Sequence, residues 1–193
     1  MKIFKENSYD IVRLYINQLG IMIFSTLLYT AIGSFENNRL FNALSIFVSL
    51  FATGFYLVLI NYVVWEIGAK DKIRVDGGRA EPCSLKGLVM GLFANIPNLV
   101  LGILTIFFLM LSVLTGNESV SSVFYLFNLI MRFHASMYMG VITQAVPTGI
   151  SMEFLIEAIL FTVIPLISVL VTHFAYYLGS KDKKLTSILF TKK

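Results

Sequence analysis

An arginine and a histidine, Arg132 and His134, stand at the middle of an otherwise apolar stretch, 117–147. A guanidinium offers paired N–H donors to a carboxylate or an anionic solute. At mid-membrane depth an unpaired arginine costs at least about 2.5–3.5 kcal/mol, so a partner is required, and Glu157 and Glu153 are the candidates. Asn95 and Asn98 flank Pro97 in a second apolar run, where proline frees a backbone carbonyl that the asparagines can satisfy. Arg132, His134, Asn95, Asn98 and Glu157 are therefore the candidate polar site, and its chemistry is recognition of charge.

Covalent chemistry is not signalled. The two histidines, His134 and His173, lie far apart in sequence without carboxylates at metal-ligand spacing. His134 with Met137 and Met139 could suit a soft metal, but methionines in an apolar helix are core filling, so neither metal nor cofactor is expected. No Walker loop and no nucleophile elbow occurs. The carboxylates nearest membrane depth, Glu66, Glu153 and Glu157, fall at helix ends, and His173 reads as an interfacial anchor rather than a proton relay. The single cysteine, Cys83, excludes an internal disulfide and reads as an ordinary thiol. An enzyme is not expected.

The elements that position these residues are membrane helices. Leu14–Phe35, Phe41–Trp65 and Gly87–Asn117 contain no Asp, Glu, Lys or Arg, and Ala158–Ser180 has only His173 as a titratable group. About 20 apolar residues in a helix span a bilayer core. Mean hydropathy is +0.80 and 13% of residues are charged, where a soluble domain carries about 25%. The expectation is an all-α integral membrane bundle forming one domain over 1–193, with spans near 14–35, 41–66, 87–114 and 155–179. A loop is expected at 67–86, a tail at 180–193, and an extra helix at 117–147. The N-terminal run is too long for a signal-peptide core, so it reads as a retained first span.

Charge sets the expected orientation. Of the 15 Lys and Arg, all but Arg39 and Arg132 fall before the first span, in Lys70–Lys86, or after the last span. Basic segments stay cytoplasmic, which places the N-terminus, the Lys70–Lys86 loop and the tail inside a plasma membrane, on composition a bacterial one. The net charge of +4 fits this rule and anionic headgroups. No basic stripe interleaved with aromatics points to nucleic acid.

Two helix ends echo one another. Trp65-Glu-Ile-Gly68-Ala-Lys70-Asp71-Lys72 recurs as Tyr176-Tyr-Leu-Gly179-Ser-Lys181-Asp182-Lys183. Glycine suits a helix C-cap, and lysines favour the negative end of the helix dipole. The echo reads either as what any inward-going helix end looks like or as an internal duplication. Gly68, Lys70, Asp71, Gly179, Lys181 and Asp182 are its interface residues. Asp76-Gly77-Gly78 signals a tight turn and a small hairpin.

The stretch 117–147 fits this scheme least easily. Asn117, Ser121, Tyr125, Asn128, Arg132 and Ser136, continued by Gly140, Thr143 and Pro147, form one polar face of a continuous helix long enough to cross. A crossing would push the lysine tail outside, so an interfacial or re-entrant element is the favoured expectation. Stripes of small and polar residues mark other spans: Asn42, Ser45, Ser49, Thr53 and Tyr56; Gly87, Gly91, Asn95, Asn98, Gly102 and Thr105; Ala158, Thr162, Pro165, Ser168, Thr172 and Tyr176. Such stripes let helices approach closely, with Gly87, Gly91 and Gly102 as packing residues, or they line a polar cavity hinged at Pro97 and Pro165.

Size and basic loops resemble the substrate-binding membrane subunits of energy-coupling-factor transporters. Those have six spans and an Ala-rich first-span motif, which Gly20–Ala31 lacks, so no residue is carried over. Two functions fit the sequence. One is a transport or permease component with a polar site between helices. The other is a non-catalytic scaffold, anchor or regulatory subunit. Expected partners are the lipid bilayer, a second copy or another membrane subunit, and a cytoplasmic protein at Lys70–Lys86.

Overall fold

A computed structural model describes residues 7–33, 38–146 and 152–183. These form eight helices: α1 (Ser8–Ile32), α2 (Asn38–Asp76), α3 (Lys86–Ala94), α4 (Ile96–Thr115), α5 (Glu118–His134), α6 (Met139–Ala145), α7 (Glu153–Val163) and α8 (Ile167–Ser180). Two 3-10 turns, Ser136–Tyr138 and Ile164–Leu166, join α5 to α6 and α7 to α8. Four stretches are long and apolar enough to cross a membrane: Ser8–Ile32, Arg39–Asp76, Ile96–Thr115 and Glu153–Ser180. The described residues form an all-α bundle whose four long apolar helices fit a multi-pass membrane protein, as the hydropathy pattern predicts.

Three expectations change. The second helix does not end at the membrane: α2 runs 39 residues to Asp76, about 58 Å at 1.5 Å per residue. Lys70–Asp76, expected as loop, is two further helical turns supported by the Glu66–Lys70 pair at 2.7 Å. Charge marks where a segment leaves lipid, not where it stops being helical. The Asp76-Gly77-Gly78 signal is likewise a helix terminus rather than a hairpin. Gly78 adopts φ +67°, the Gly78 N–H donates to Val75 O and the Arg79 N–H to Arg74 O, the paired bonds of a Schellman cap. The third span is also not one helix over 87–114. It breaks at Asn95, and Pro97 opens α4 in the first turn, where a missing N–H costs nothing.

The chain packs as two compact units. Among the described residues, the first comprises 7–17, Tyr56–Ala94 and 167–183. Here α3 lies against α8 through glycine: a Cβ on Gly87 would sit 2.5 Å from Tyr176 Cβ, and one on Gly91 3.1 Å from Val169 Cα. Tyr56, Ile60, Val64, Met90, Ala175 and Leu178 fill the core.

In this unit the two echoed motifs meet. A Cβ on Gly68 would lie 2.5 Å from the Tyr176 carbonyl oxygen and 3.0 Å from Ser180 N. A Cβ on Gly179 would press on the Trp65 carbonyl oxygen and lie 3.0 Å from Ala69 N. The contacts are reciprocal, each glycine meeting the carbonyl three residues before, and the amide one residue after, the other. Gly68 is therefore mid-helix and not the C-cap expected of it. Gly179 is not the cap either, since the left-handed residue ending α8 is Asp182, φ 54°. Both glycines are conserved within the chain's own echo because backbone meets backbone there.

The second unit comprises Gln18–Phe55 and Asn95–Leu166. Gly116, φ +59°, turns α4 into α5. The two helices pack antiparallel, with Phe108 stacked on Phe127 at 5.1 Å and Ser112 Oγ 2.7 Å from Ser121 Oγ. Gly102 admits the Thr162 side chain of α7.

Candidate functional site

The polar residues of 117–146 are positioned by a break that the sequence pattern did not predict. The expected continuous helix ends at His134, and Ser136–Tyr138 forms a tight turn before α6; Pro147 lies outside the described residues. Breaking a helix in apolar surroundings leaves backbone groups that need partners. The α2 stripe supplies them. Thr53 Oγ1 donates to Met137 O at 3.1 Å, Gly140 N donates to Ser49 Oγ at 2.7 Å, and Gln144 Nε2 donates to Asn42 Oδ1 at 3.1 Å. The α2 partners descend in number as the α6 residues ascend, so α6 runs antiparallel along α2. From α1, Ser25 Oγ meets Ser136 Oγ at 2.6 Å, and Ser136 Oγ donates to Met22 O. Tyr29 OH donates to Ser45 O at 2.8 Å and lies 2.6 Å from Ser49 Oγ. Met131, Ala135, Ser136, Met137 and Ile142 are buried. A Cβ on Gly140 would collide with Ser45 backbone and Tyr29 OH, so that position admits glycine alone.

Arg132 and Glu157 form an ion pair, with Arg132 Nη2 donating to Glu157 Oε2. Arg132 Nε also donates to Asn128 Oδ1, one turn earlier on α5, at 3.2 Å. Of the two acids proposed from sequence, Glu157 is thus the partner. Its side chain is 7% exposed, while that of Arg132 is 28% exposed. Glu157 lies about one turn inside the N-terminal end of the Glu153–Ser180 candidate span. Aromatic contacts also join α5 to α7: Phe124 against Phe154 at 5.8 Å, and Tyr125 against Phe154 at 6.5 Å.

Asn98, on α4, meets α7 further along. Its Nδ2 donates to the Thr162 carbonyl at 3.4 Å, in the turn before Pro165. It serves the second proline's helix, not the carbonyl freed by Pro97, as expected from sequence. Asn98 Oδ1 is buried without a hydrogen bond among the described residues. Asn95 is buried at the break between α3 and α4, and His134 is buried as the last residue of α5. The structure therefore joins Arg132 to Glu157 and places Asn98 beside α7.

Sequence reasoning missed the α1 contribution of Ser25 and Tyr29 because no stripe on α1 marks it. It also read Asn128, Ser49 and Thr53 only as parts of polar faces. In the echoed motifs, Lys70 pairs with Glu66, and Asp71 accepts from Lys86 at 2.5 Å and from Tyr176 OH at 3.0 Å. Asp182 lies 3.8 Å from Lys72, and Trp65 Nε1 donates to Lys183 O at 2.7 Å.

Those contacts fix the topology of the first unit. The C-terminal ends of α2 and α8 and the N-terminal end of α3 gather at one end. Lys86 and Ser180 thus lie at the same end of that unit. Comparison with protein-family models, curated proteins and solved structures finds no match to this chain.

Proposed function

We propose that this multi-pass protein is a transport or permeation component whose polar site is the Arg132–Glu157 pair at the broken α5–α6 hairpin. The pair is the observation that carries the reading. Broken helices at membrane depth occur where backbone is buried in protein or lines a solute path. Ionisable residues there mark pathways and counter-ion sites. Arg132 engages Glu157 and Asn128, and its second terminal nitrogen makes no hydrogen bond among the described residues. At 28% exposed, that fork is open to an anionic group arriving from the hairpin side, for which Glu157 is the resident competitor. In this reading the charge-poor connections face outward, and the site with them. The membrane is the plasma membrane, with the Lys70–Lys86 segment on its cytoplasmic side. A bundle of four crossings is small for a transporter, so a second copy or another subunit completes it.

The test is solute flux in liposomes containing the purified protein, with chloride, acetate and potassium as probes. Glu157→Gln should leave the hairpin folded, release Arg132, and raise anion flux over the parent while potassium flux stays unchanged. Anion flux no greater than in protein-free liposomes, for parent and variant alike, would overturn the reading and leave a scaffold or regulatory subunit as the function.

A further inference from the structure

At the end of the first unit where α2, α3 and α8 gather, a crevice of about 1530 Å³ opens. Its lining includes Lys72, Arg74, Arg79, Lys86 and Lys181, together with the acids Asp71, Asp76 and Glu81. Asp71 is already engaged by Lys86 at 2.5 Å and by Tyr176 OH at 3.0 Å, with Arg74 Nη1 at 3.7 Å. Arg79 and Lys181 have no ion-pair partner among the described residues, and both are exposed.

Basic residues at the ends of helices often serve to cap carbonyls. Here that role is taken. The α2 carbonyls are closed by Gly78 and Arg79 N–H, and those of α8 by Asp182 N–H to Gly179 O and Lys183 N–H to Leu178 O. Arg79 and Lys181 are thereby left over for something else, with the exposed Arg74 held only by the 3.7 Å contact to Asp71. Clusters of four to eight Lys and Arg immediately beside a membrane helix attract anionic headgroups at about 1 kcal/mol per residue, and phosphate oxygens accept strong charge-assisted hydrogen bonds from them.

We infer that this crevice binds a phosphate-bearing anion between Arg74, Arg79 and Lys181. Ser84 and Tyr177, which also line it, supply neutral hydroxyl donors. The ligand is a phospholipid headgroup or a soluble phosphate compound, and the site shares no residue with the Arg132–Glu157 pair.

The chain carries its own reporter, because its single cysteine, Cys83, lines the crevice. The full-length protein is placed in nanodiscs and Cys83 is labelled with an uncharged maleimide. One arm compares phosphatidylcholine discs with discs containing phosphatidylglycerol. The other adds inorganic pyrophosphate to phosphatidylcholine discs, against sodium chloride of equal ionic strength. Occupancy slows labelling by a factor of one plus the ratio of ligand to Kd, about tenfold when ligand is about ten times Kd. Slowing by phosphatidylglycerol identifies a headgroup, and slowing by pyrophosphate identifies a soluble ligand. In either case an Arg79→Gln, Lys181→Gln variant, altered only at exposed side chains, should lose the protection while keeping the parent Tm. Equal labelling rates under all conditions, or protection that persists in the variant, would overturn the inference.

Discussion

Gly68→Ala offers the sharpest test of the α2–α8 crossing. The added methyl would sit 2.5 Å from the Tyr176 carbonyl oxygen, 3.0 Å from Ser180 N and 3.1 Å from Gly179 Cα. All three are backbone atoms, so no side chain can swing away. Ordinary contact lies near 3.5–4.0 Å, so the helices have to separate by about 1–1.5 Å along the shortest contact. Overpacking of this kind costs about 1–3 kcal/mol. Alanine also gains about 1 kcal/mol in helix propensity, which would mask part of the loss. Gly54→Ala removes that ambiguity, since a Cβ there meets nothing within 4 Å in the same helix. The gap between the two variants then isolates the crossing. It should be about 1–3 kcal/mol, or about 2–12 °C in Tm at this chain length, read by thermal unfolding in detergent. Gly179→Ala should behave like Gly68→Ala, and the double variant should lose less than the sum, because both methyls are relieved by one separation. A Gly68→Ala protein as stable as Gly54→Ala would refute the backbone-on-backbone crossing.

Arg132→Met should destabilise the protein by about 3–5 kcal/mol, because it strands the buried Glu157 carboxylate, Glu157→Leu should cost less because Arg132 is 28% exposed, and the double variant should recover much of the Arg132→Met loss; additive losses in a thermal-unfolding cycle would argue against the pairing. Ser49→Ala and Thr53→Val should each weaken the seat of the hairpin by about 1–3 kcal/mol, seen as faster amide hydrogen exchange at Gly140 and its neighbours, with α8 exchange unchanged. In intact cells, a cysteine introduced as Lys183→Cys in a Cys83→Ser background should react with an impermeant thiol reagent as native Cys83 does. Protection of both until the cells are opened is the outcome expected from the charge rule, and opposite behaviour would contradict the shared end of α2 and α8.

The sequence alone determined the fold class, because spanning a bilayer is a one-dimensional requirement: enough apolar residues in a row, with charges beyond them. For the same reason it anticipated four helices long and apolar enough to cross, the third of them starting later than the apolar run does. It also marked Arg132 as a residue in need of a partner, since the cost of an unpaired charge in lipid is a property of the residue and its surroundings. Only the tertiary structure decided which acid meets it, because Glu153 and Glu157 are equally reachable on paper and the crossing of α5 with α7 selects one. The helix break at Ala135 was equally hidden. The residues 117–146 keep helical periodicity throughout, and the break is stabilised by Ser25, Ser49 and Thr53 from distant parts of the chain. The echoed glycines show the same division. Local rules assign Gly68 and Gly179 to helix ends, where glycine is common. Their actual role, bringing two backbones into contact, exists only once α2 and α8 cross.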